Sequence, residues 1–548
     1  MGSRAERYRE IAEVFSVHGF GFVVSTLGLS ERFPFRRMPR HESGQAYSRP
    51  EHVRLALEEL GPTFVKIGQI LSTRPDLLPP PYVKELSRLQ DQVGPVPGAD
   101  VTAVLTEELG STGVFDSFDR QPLASASIGQ AHAATLDGVE VVVKVRRPGV
   151  VETVNQDLDI LENLAQQASR RWDFARDNDA PGLVREFAET LRHELDYLRE
   201  GRNAEQFAHN FADDPKVHIP AVHWETTTSR VLTLERVRGI KIYDVDALSA
   251  AGIDRSELAE RATGVLCRMV FEHGLFHADP HPGNFFVEED GALGIIDFGM
   301  VGTIDDELKE NLGDILVAIV RGDTSRATAA LLRLNQSPEK VNRAALKQDT
   351  ATLIDRFSGH SMSDFPVSAL INDILRMLRR HRLHLPNDLA MLFKMLVMAE
   401  GLGRRLDPEF QLAGVLAPFT RRLVIQRYSV DALRRRLGQV VDEVRQAGED
   451  APRLLQSLVE LVERGGPQLT LGPDELEHQL TQSQLTGNRI VAGLLAASFI
   501  HVAGGIVATS TTGRTAVLRA PVAAASAGAA GLLGGYLAHT GRRRRRRR

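Results

Sequence analysis

Asp279 and Asn284 stand five positions apart in His277-Ala278-Asp279-Pro280-His281-Pro282-Gly283-Asn284, and Asp297-Phe298-Gly299 begins thirteen positions after Asn284. Two prolines and a glycine inside the first stretch keep it out of a regular helix, so it forms a loop that can aim both side chains at one place. Asp297 follows the apolar, strand-like residues 293–296. A carboxylate at a strand end and an amide oxygen from the preceding loop are hard ligands suited to Mg²⁺ held against phosphates. Lys144, at the end of Val141-Val142-Val143-Lys144, adds an ammonium for phosphate oxygens. Each signal is weak alone. Together, in this order, they point to a site where ATP meets a metal. His273, His277 and His281 lie close by, but they do not complete a closed Zn²⁺ set and read as hydrogen-bonding residues of the loop.

These residues need strands and loops to carry them. Residues 115–118, 131–136 and 139–145 are strand-like, and Asp137-Gly138 is a hairpin turn between the last two. Ser127-Ile128-Gly129-Gln130 precedes the hairpin. A loop, a strand, a turn and a strand with lysine is the order in which the kinase fold covers ATP. Helical patterns flank this region at 53–60, 83–90, 100–109, 157–167 and 183–200, and 231–237 is again a strand. From residue 254 onward helices dominate, broken by the segment 276–302. Strands first and helices later, around a loop-rich site, predict an α+β, two-lobed, protein-kinase-like fold.

The chain resembles the UbiB family of atypical protein-kinase-like proteins over roughly residues 50–410. Lys66-Ile67-Gly68-Gln69 is similar to the family's Lys-x-Gly-Gln signature, and Ala124-Ser125-Ala126-Ser127 to its alanine-rich loop. Glu194-Leu195-Asp196 matches its Glu-x-Asp motif. The resemblance implies that Lys144 binds the ATP phosphates and pairs with Glu200, with Glu194 as an alternative partner set by helix register. It implies that Asp279 is the catalytic aspartate, in His277-Ala278-Asp279 where typical kinases have His-Arg-Asp, and that Asn284 and Asp297 hold Mg²⁺. Adenine would be received near Glu235 to Val237. Lys66 and Gln69 would lie on a helical extension covering the active site, with Lys66 against Glu194 and Asp196. The usual loop is Ala-Ala-Ala-Ser, and here its second residue is Ser125. That hydroxyl could reach a phosphate, or be capped locally or face solvent. Alanine in place of glycine restricts positive-φ freedom and with it the approach of backbone to phosphate.

The chain has 548 residues and a formal charge of −5, with globular composition, and its length exceeds a single core. Residues 542–548 are all arginine, so the remainder is distinctly acidic and does not read as a nucleic-acid binder. The lone Cys267 excludes an internal disulfide, sits in an apolar helical pattern, and reads as a small buried hydrophobe in a reducing compartment. The amino terminus does not read as a secretory signal. Residues 490–510 and 516–537 are apolar runs of about 20 residues, long enough to cross a bilayer, and rich in glycine for close helix contact. Their short link makes them a transmembrane hairpin. Seven arginines after it, against Arg514 and Arg519 at its turn, place both ends and the catalytic region in the cytoplasm, tethered to the cell membrane.

The expected organisation is a helical segment at 1–50, the helical extension at 51–112, an N-lobe at 113–240 and a C-lobe at 241–410. A helical region at 411–485 and the membrane hairpin with its tail at 486–548 complete it. Three functions fit these residues. The resemblance favours a membrane-tethered ATPase that aids isoprenoid-quinone biosynthesis, with a quinone precursor or other membrane lipid and quinone-biosynthesis enzymes as partners. A phosphotransferase acting on a protein or small molecule is the second, and a non-catalytic, nucleotide-switched membrane scaffold is the third. A homodimer is compatible with each.

Overall fold

The computed structural model describes residues 4–20, 48–89, 94–177, 179–335, 341–357 and 366–427. The chain opens with α1 (Arg4–Phe15), α2 (Arg49–Leu60), α3 (Pro62–Ser72) and α4 (Pro80–Leu86). Ser48 starts α2 with a reciprocal capping box to Glu51, and prolines sit in the first turns of α2, α3 and α4, where a missing N–H costs nothing. Ile11, Ala12 and Val14 of α1 are buried with Leu57, Leu60 and Phe64, so α1 packs into the protein. Arg7 clamps it there, donating to both oxygens of Asp157 at 2.7 and 3.0 Å and to Leu60 O at 2.7 Å.

After α5 (Gly98–Leu109) comes an antiparallel sheet of β1 (Ser117–Ser125), β2 (Gly129–Leu136), β3 (Val139–Arg146) and β5 (Val231–Glu235), in that spatial order. The expected turn is present: Asp137 and Gly138 both have positive φ, 49° and 78°, as a two-residue hairpin with right-twisted strands requires. Valines 141, 143 and 145 of β3 are buried with Val101, Val104 and Leu105 of α5, so α5 covers one face of the sheet. The first strand runs further than the sequence pattern suggested. Ala124 pairs with Ala131 and Ser125 with Gln130, and Ala126 N–H donates to Gly129 O at 2.8 Å. Half of the alanine-rich loop is therefore strand, and its turn is short.

Next come α6 (Val150–Arg171), α7 (Ala180–Glu194) and α8 (Tyr197–Asn210). The single helix expected over 183–200 is two. Asp196 leaves the helical region at φ −104°, ψ 98° and caps α8 by accepting from Leu198 N–H at 3.1 Å. Arg146 donates to Leu195 O at 2.5 Å, satisfying a carbonyl that the break releases. Aspartate competes with the backbone for hydrogen bonds, and here it ends one helix to begin another.

The second half holds β4 (Val217–His218), β6 (Ile240–Lys241), β8 (Phe285–Val287) and β9 (Leu293–Ile295), arranged β4-β9-β8-β6, while β7 (Leu275–His277) pairs antiparallel with β10 (Val301–Thr303). Around them pack α9 (Val245–Ala250), α10 (Arg255–Arg268), α11 (Asp306–Val320), α12 (Thr324–Arg333), α13 (Arg343–Phe357), α14 (Val367–Arg380), α15 (Asn387–Leu406) and α16 (Leu412–Arg427). They share one large core that includes Cys267, whose thiol burial pushes up to about 12. Among the described residues no helix is long and apolar enough to cross a membrane. The runs 490–510 and 516–537 and the arginine tail lie outside the described residues.

Candidate active site

Alternation along β3 sets the position of Lys144: with its valines buried against α5, the lysine emerges on the opposite face. Its Nζ donates to Glu200 Oε1 at 2.5 Å and lies 3.8 Å from Asp297 Oδ1. Burial alone would favour the neutral amine. Glu200 and Asp297 outweigh it and hold Lys144 above its ordinary pKa. Glu200 lies in the first turn of α8, and Asn203 and Phe207 follow on the same face. Asn203 Nδ2 donates to Phe298 O at 2.9 Å, and the Phe207 ring packs on Phe298 with centroids 5.1 Å apart. One helix thus supplies the lysine's partner and steadies Asp297-Phe298-Gly299. The break at Asp196 settles the register: Glu200, not Glu194, meets Lys144.

Asp297 accepts from Gly299 N–H at 3.1 Å. Burial opposes its charge, but Lys144 outweighs it and holds the carboxyl below the usual range. Asp279 follows β7, and Ala278 N–H donates to Met300 O at 3.1 Å, which brings the two aspartate-bearing segments together. Asp279 N–H donates to His277 Nδ1 at 3.2 Å, so in the neutral ring Nε2 carries the proton. Burial keeps that ring neutral, with its pKa lowered. Asp279 Oδ1 accepts from Lys394 Nζ at 3.0 Å. Burial again opposes the charge, and Lys394 more than compensates, so Asp279 also lies below the ordinary carboxylate value. Asn284 Nδ2 reaches Asp279 O at 3.5 Å, and among the described residues its amide oxygen has no partner.

The other histidines do structural work. His281 Nδ1 accepts from Gly283 N–H at 3.1 Å, and His273 packs edge-on to Phe211. Among the described residues no three His, Cys, Asp or Glu side chains form a metal-holding group. Asn284 and Asp297 fit a different demand. They are two oxygen donors that could hold Mg²⁺ whose remaining ligands are phosphate and water.

The alanine-rich turn is clamped from outside. Arg147 Nη2 donates to Ser125 Oγ at 2.7 Å, Arg147 Nε donates to Ala126 O at 2.8 Å, and Gln130 Nε2 donates to Ser125 Oγ at 3.3 Å. The Ser125 hydroxyl therefore serves Arg147 and Gln130, and Ser127 is completely buried. Gly129 has no room for a side chain, since a Cβ there would sit 2.1 Å from Tyr197 Oη.

Glu235 ends β5 with its Oε2 accepting from Ala221 N–H at 3.2 Å and lying 3.3 Å from His218 Nε2, which His218 shares with Glu288 on its other nitrogen. Val237 lies against Gly294, where a Cβ would come within 2.5 Å of its Cγ1. Both side chains are occupied in packing, so a base held here would meet the backbone.

Lys66 Nζ lies 2.9 Å from Glu194 Oε2, with both side chains largely buried. The extension therefore reaches the end of α7, and Lys66 also favours the charged forms of Asp279 and Asp297. Asp196, expected against Lys66, is instead used within the backbone of its own segment. Gln69 Nε2 donates to Leu89 O at 3.1 Å, bracing its own extension, and Asp196 serves as the cap of α8. Sequence reasoning missed Lys394, Asn203 and Arg147. Only Arg147, in the basic pair that ends the lysine strand, left a local signal.

Two family descriptions match the chain: the ABC1 atypical kinase-like domain over residues 88–331 and the UbiB helical domain over residues 350–411. A probable protein kinase UbiB from Xanthomonas euvesicatoria pv. vesicatoria is 36% identical over 473 residues, covering 84% of this chain and 85% of that one. The chain belongs to the UbiB family of atypical kinase-like proteins. An uncharacterized protein in the hydrogenase 1 5′ region of Clostridium pasteurianum is also similar, 33% identical over 501 residues, covering 90% and 91% of the two chains. Among solved structures, a Mycobacterium tuberculosis protein in complex with erythromycin is 26% identical and covers 61% of this chain and 92% of its own, with a TM-score of 0.40. Within the UbiB family frame, the kinase-like segment carries Lys144, Glu200, Asp279, Asn284 and Asp297, and the helical domain contributes α15 and Lys394.

Proposed function

We propose that this chain binds ATP with Mg²⁺ and cleaves or transfers its terminal phosphoryl group while tethered to a membrane by residues 486–548, in support of isoprenoid-quinone biosynthesis. The observation that carries the reading is the assembled pair Lys144–Glu200, 2.5 Å apart, with Asp297 3.8 Å from the same ammonium. A lysine engaged with its helix glutamate and set beside the metal-site carboxylate is ready for phosphate. Asn284 and Asp297 would hold the metal, which when bound neutralises phosphate charge. Lys144 binds the inner phosphates, the backbone at 235–237 receives adenine, and Asp279 orients the attacking hydroxyl or water. The quinone connection and the membrane tether rest on relatives and on the apolar runs 490–510 and 516–537.

Water or a small molecule is the favoured acceptor over a protein, because Lys66 of the extension is bonded to Glu194 near the aspartates. The test measures ATP turnover by full-length protein with and without lipid vesicles and a prenylphenol. Stimulation that disappears in Asp297→Asn is the expected result. Turnover in the wild type no greater than in Asp297→Asn, with nucleotide binding retained, refutes the enzymatic reading in favour of a nucleotide switch. Phosphate transfer to an added protein as fast as ATP turnover refutes the choice of acceptor.

A further inference from the structure

The loop that presents Asp279 has no fixed cation of its own. Residues 277–284 contain neither lysine nor arginine, and the position that is arginine in His-Arg-Asp is Ala278, fully buried. The positive charge arrives from 115 positions away. Lys394 projects from α15 to Asp279, and its Nζ–Oδ1 distance is 3.0 Å. Its helical neighbours Leu392, Phe393, Met395 and Leu396 are all buried. An ammonium among apolar neighbours costs desolvation, and a partly exposed ion pair such as this one is a weak source of stability. Stability is therefore a poor explanation for a lysine at this point in an otherwise apolar stretch.

The pair also has unused capacity. An ammonium has three donors, and among the described residues Lys394 uses one, on Asp279 Oδ1. Its side chain keeps 18% exposure and that of Asp279 39%, so both remain reachable. The buried His277 feels Asp297, Asp279, Lys394 and Lys144 together, which places all four charges in one neighbourhood. Lys144 enters it from the sheet and Lys394 from the helical domain.

We propose that Lys394 is a phosphate-binding residue, its ammonium contacting the terminal phosphoryl group of the nucleotide while its bond to Asp279 keeps that carboxylate aimed. The inference rests on the nucleotide reading above and extends it: Lys144 serves the inner phosphates and Lys394 the outer one. The helical domain is then part of the active site, because the terminal phosphate is recognised only when α15 is docked.

The test compares binding of Mg·AMPPNP and Mg·ADP to full-length protein by calorimetry, for the wild type, Lys394→Met and Lys394→Arg. The wild type is expected to prefer AMPPNP. Lys394→Met should lose about tenfold or more in AMPPNP affinity while ADP affinity stays within about twofold, as for removal of a hydrogen bond to a charged group. ATP turnover should fall by about 10²–10³-fold, with Lys394→Arg recovering part of both losses. Asp279→Asn, which leaves the lysine in place, should retain the AMPPNP preference. If Lys394→Met is too unstable to assay, Lys394→Met with Asp279→Asn removes the stranded carboxylate and should show the same loss of preference. An unchanged AMPPNP-to-ADP ratio in the methionine variants, or no preference in the wild type, overturns the assignment and leaves Lys394 a structural partner. A wild type that binds neither nucleotide overturns the nucleotide reading itself.

Discussion

Replacing Glu200 by glutamine keeps its shape and removes its charge, and the consequences can be worked from two distances. Lys144 loses a partner at 2.5 Å and keeps Asp297 at 3.8 Å. The Lys144 and Glu200 side chains are 22% and 9% exposed, between the surface and buried limits. A surface pair contributes about 1 kcal/mol or less, whereas stranding one member of a buried pair costs about 3–5 kcal/mol. Asp297 prevents full stranding, so the expected loss of stability is only about 1–2 kcal/mol, read as a lower urea midpoint. Turnover should suffer more. Without Glu200 the ammonium shifts toward Asp297, competing with the metal and leaving the phosphates, and ATP turnover should fall by about 10²-fold or more. Full-length Glu200→Gln is assayed beside Lys144→Met. Turnover within about threefold of the wild type in Glu200→Gln, with Lys144→Met inactive, would refute Glu200 as the residue that aims the lysine. A stability loss of 4 kcal/mol or more would refute the compensation by Asp297.

Two further outcomes follow from buried charge. Arg74, 2% exposed, donates to both oxygens of Asp76 at 3.0 and 2.9 Å and to Glu186 Oε1 at 2.7 Å, and it also reaches Leu385 O, so Arg74→Met should destabilise by about 3–5 kcal/mol. Adding Asp76→Asn should recover a large part of that loss in urea unfolding, and an equally unstable double variant would mean that packing, not the stranded carboxylate, sets the cost. His277 has its pKa lowered by burial, so its folded ring stays neutral where the unfolded ring takes up a proton. Its contribution is full above the ordinary histidine pKa of about 6.5 and is lost as pH falls from there through the folded value. Urea midpoints should therefore drop between pH 7.5 and 5.5, and less steeply in His277→Asn; equal slopes would show that other groups govern this window.

The strands around the site could be read from the sequence because their signals are local. Asp137-Gly138 states its own turn, and Val141-Val142-Val143-Lys144 states which residues are apolar enough to be covered. The loop around Asp279 was legible for the same reason, since prolines and glycine act on adjacent backbone. What escaped notice was competition and distance. Residues 183–200 contain no glycine or proline, so the hydrophobic period ran through Asp196, and only the hydrogen bond from Leu198 N–H and the carbonyl held by Arg146 reveal the break. Ser125 is a local departure whose meaning is not local, because Arg147, 22 positions away, holds its hydroxyl. Lys394 carries no local mark at all, because a lysine in an apolar helix has meaning only once Asp279 is beside it.

The break at Asp196 does more than correct a register. Glu194 closes α7 and binds Lys66 of the extension, while Glu200 opens α8 and binds Lys144 of the sheet. Two residues, Leu195 and Asp196, separate the helices that hold these glutamates. Any rotation of α8 that releases Lys144 must act on the same short joint from which the extension is held. Were 183–200 one continuous helix, Glu194 and Glu200 would be six positions apart, about 600° around the axis at 100° per residue, which leaves their directions about 120° apart. One straight helix would aim the two glutamates well apart. The joint lets two glutamates converge on one cleft from independent helices, so the setting of the extension and the setting of the phosphate-binding lysine are mechanically linked.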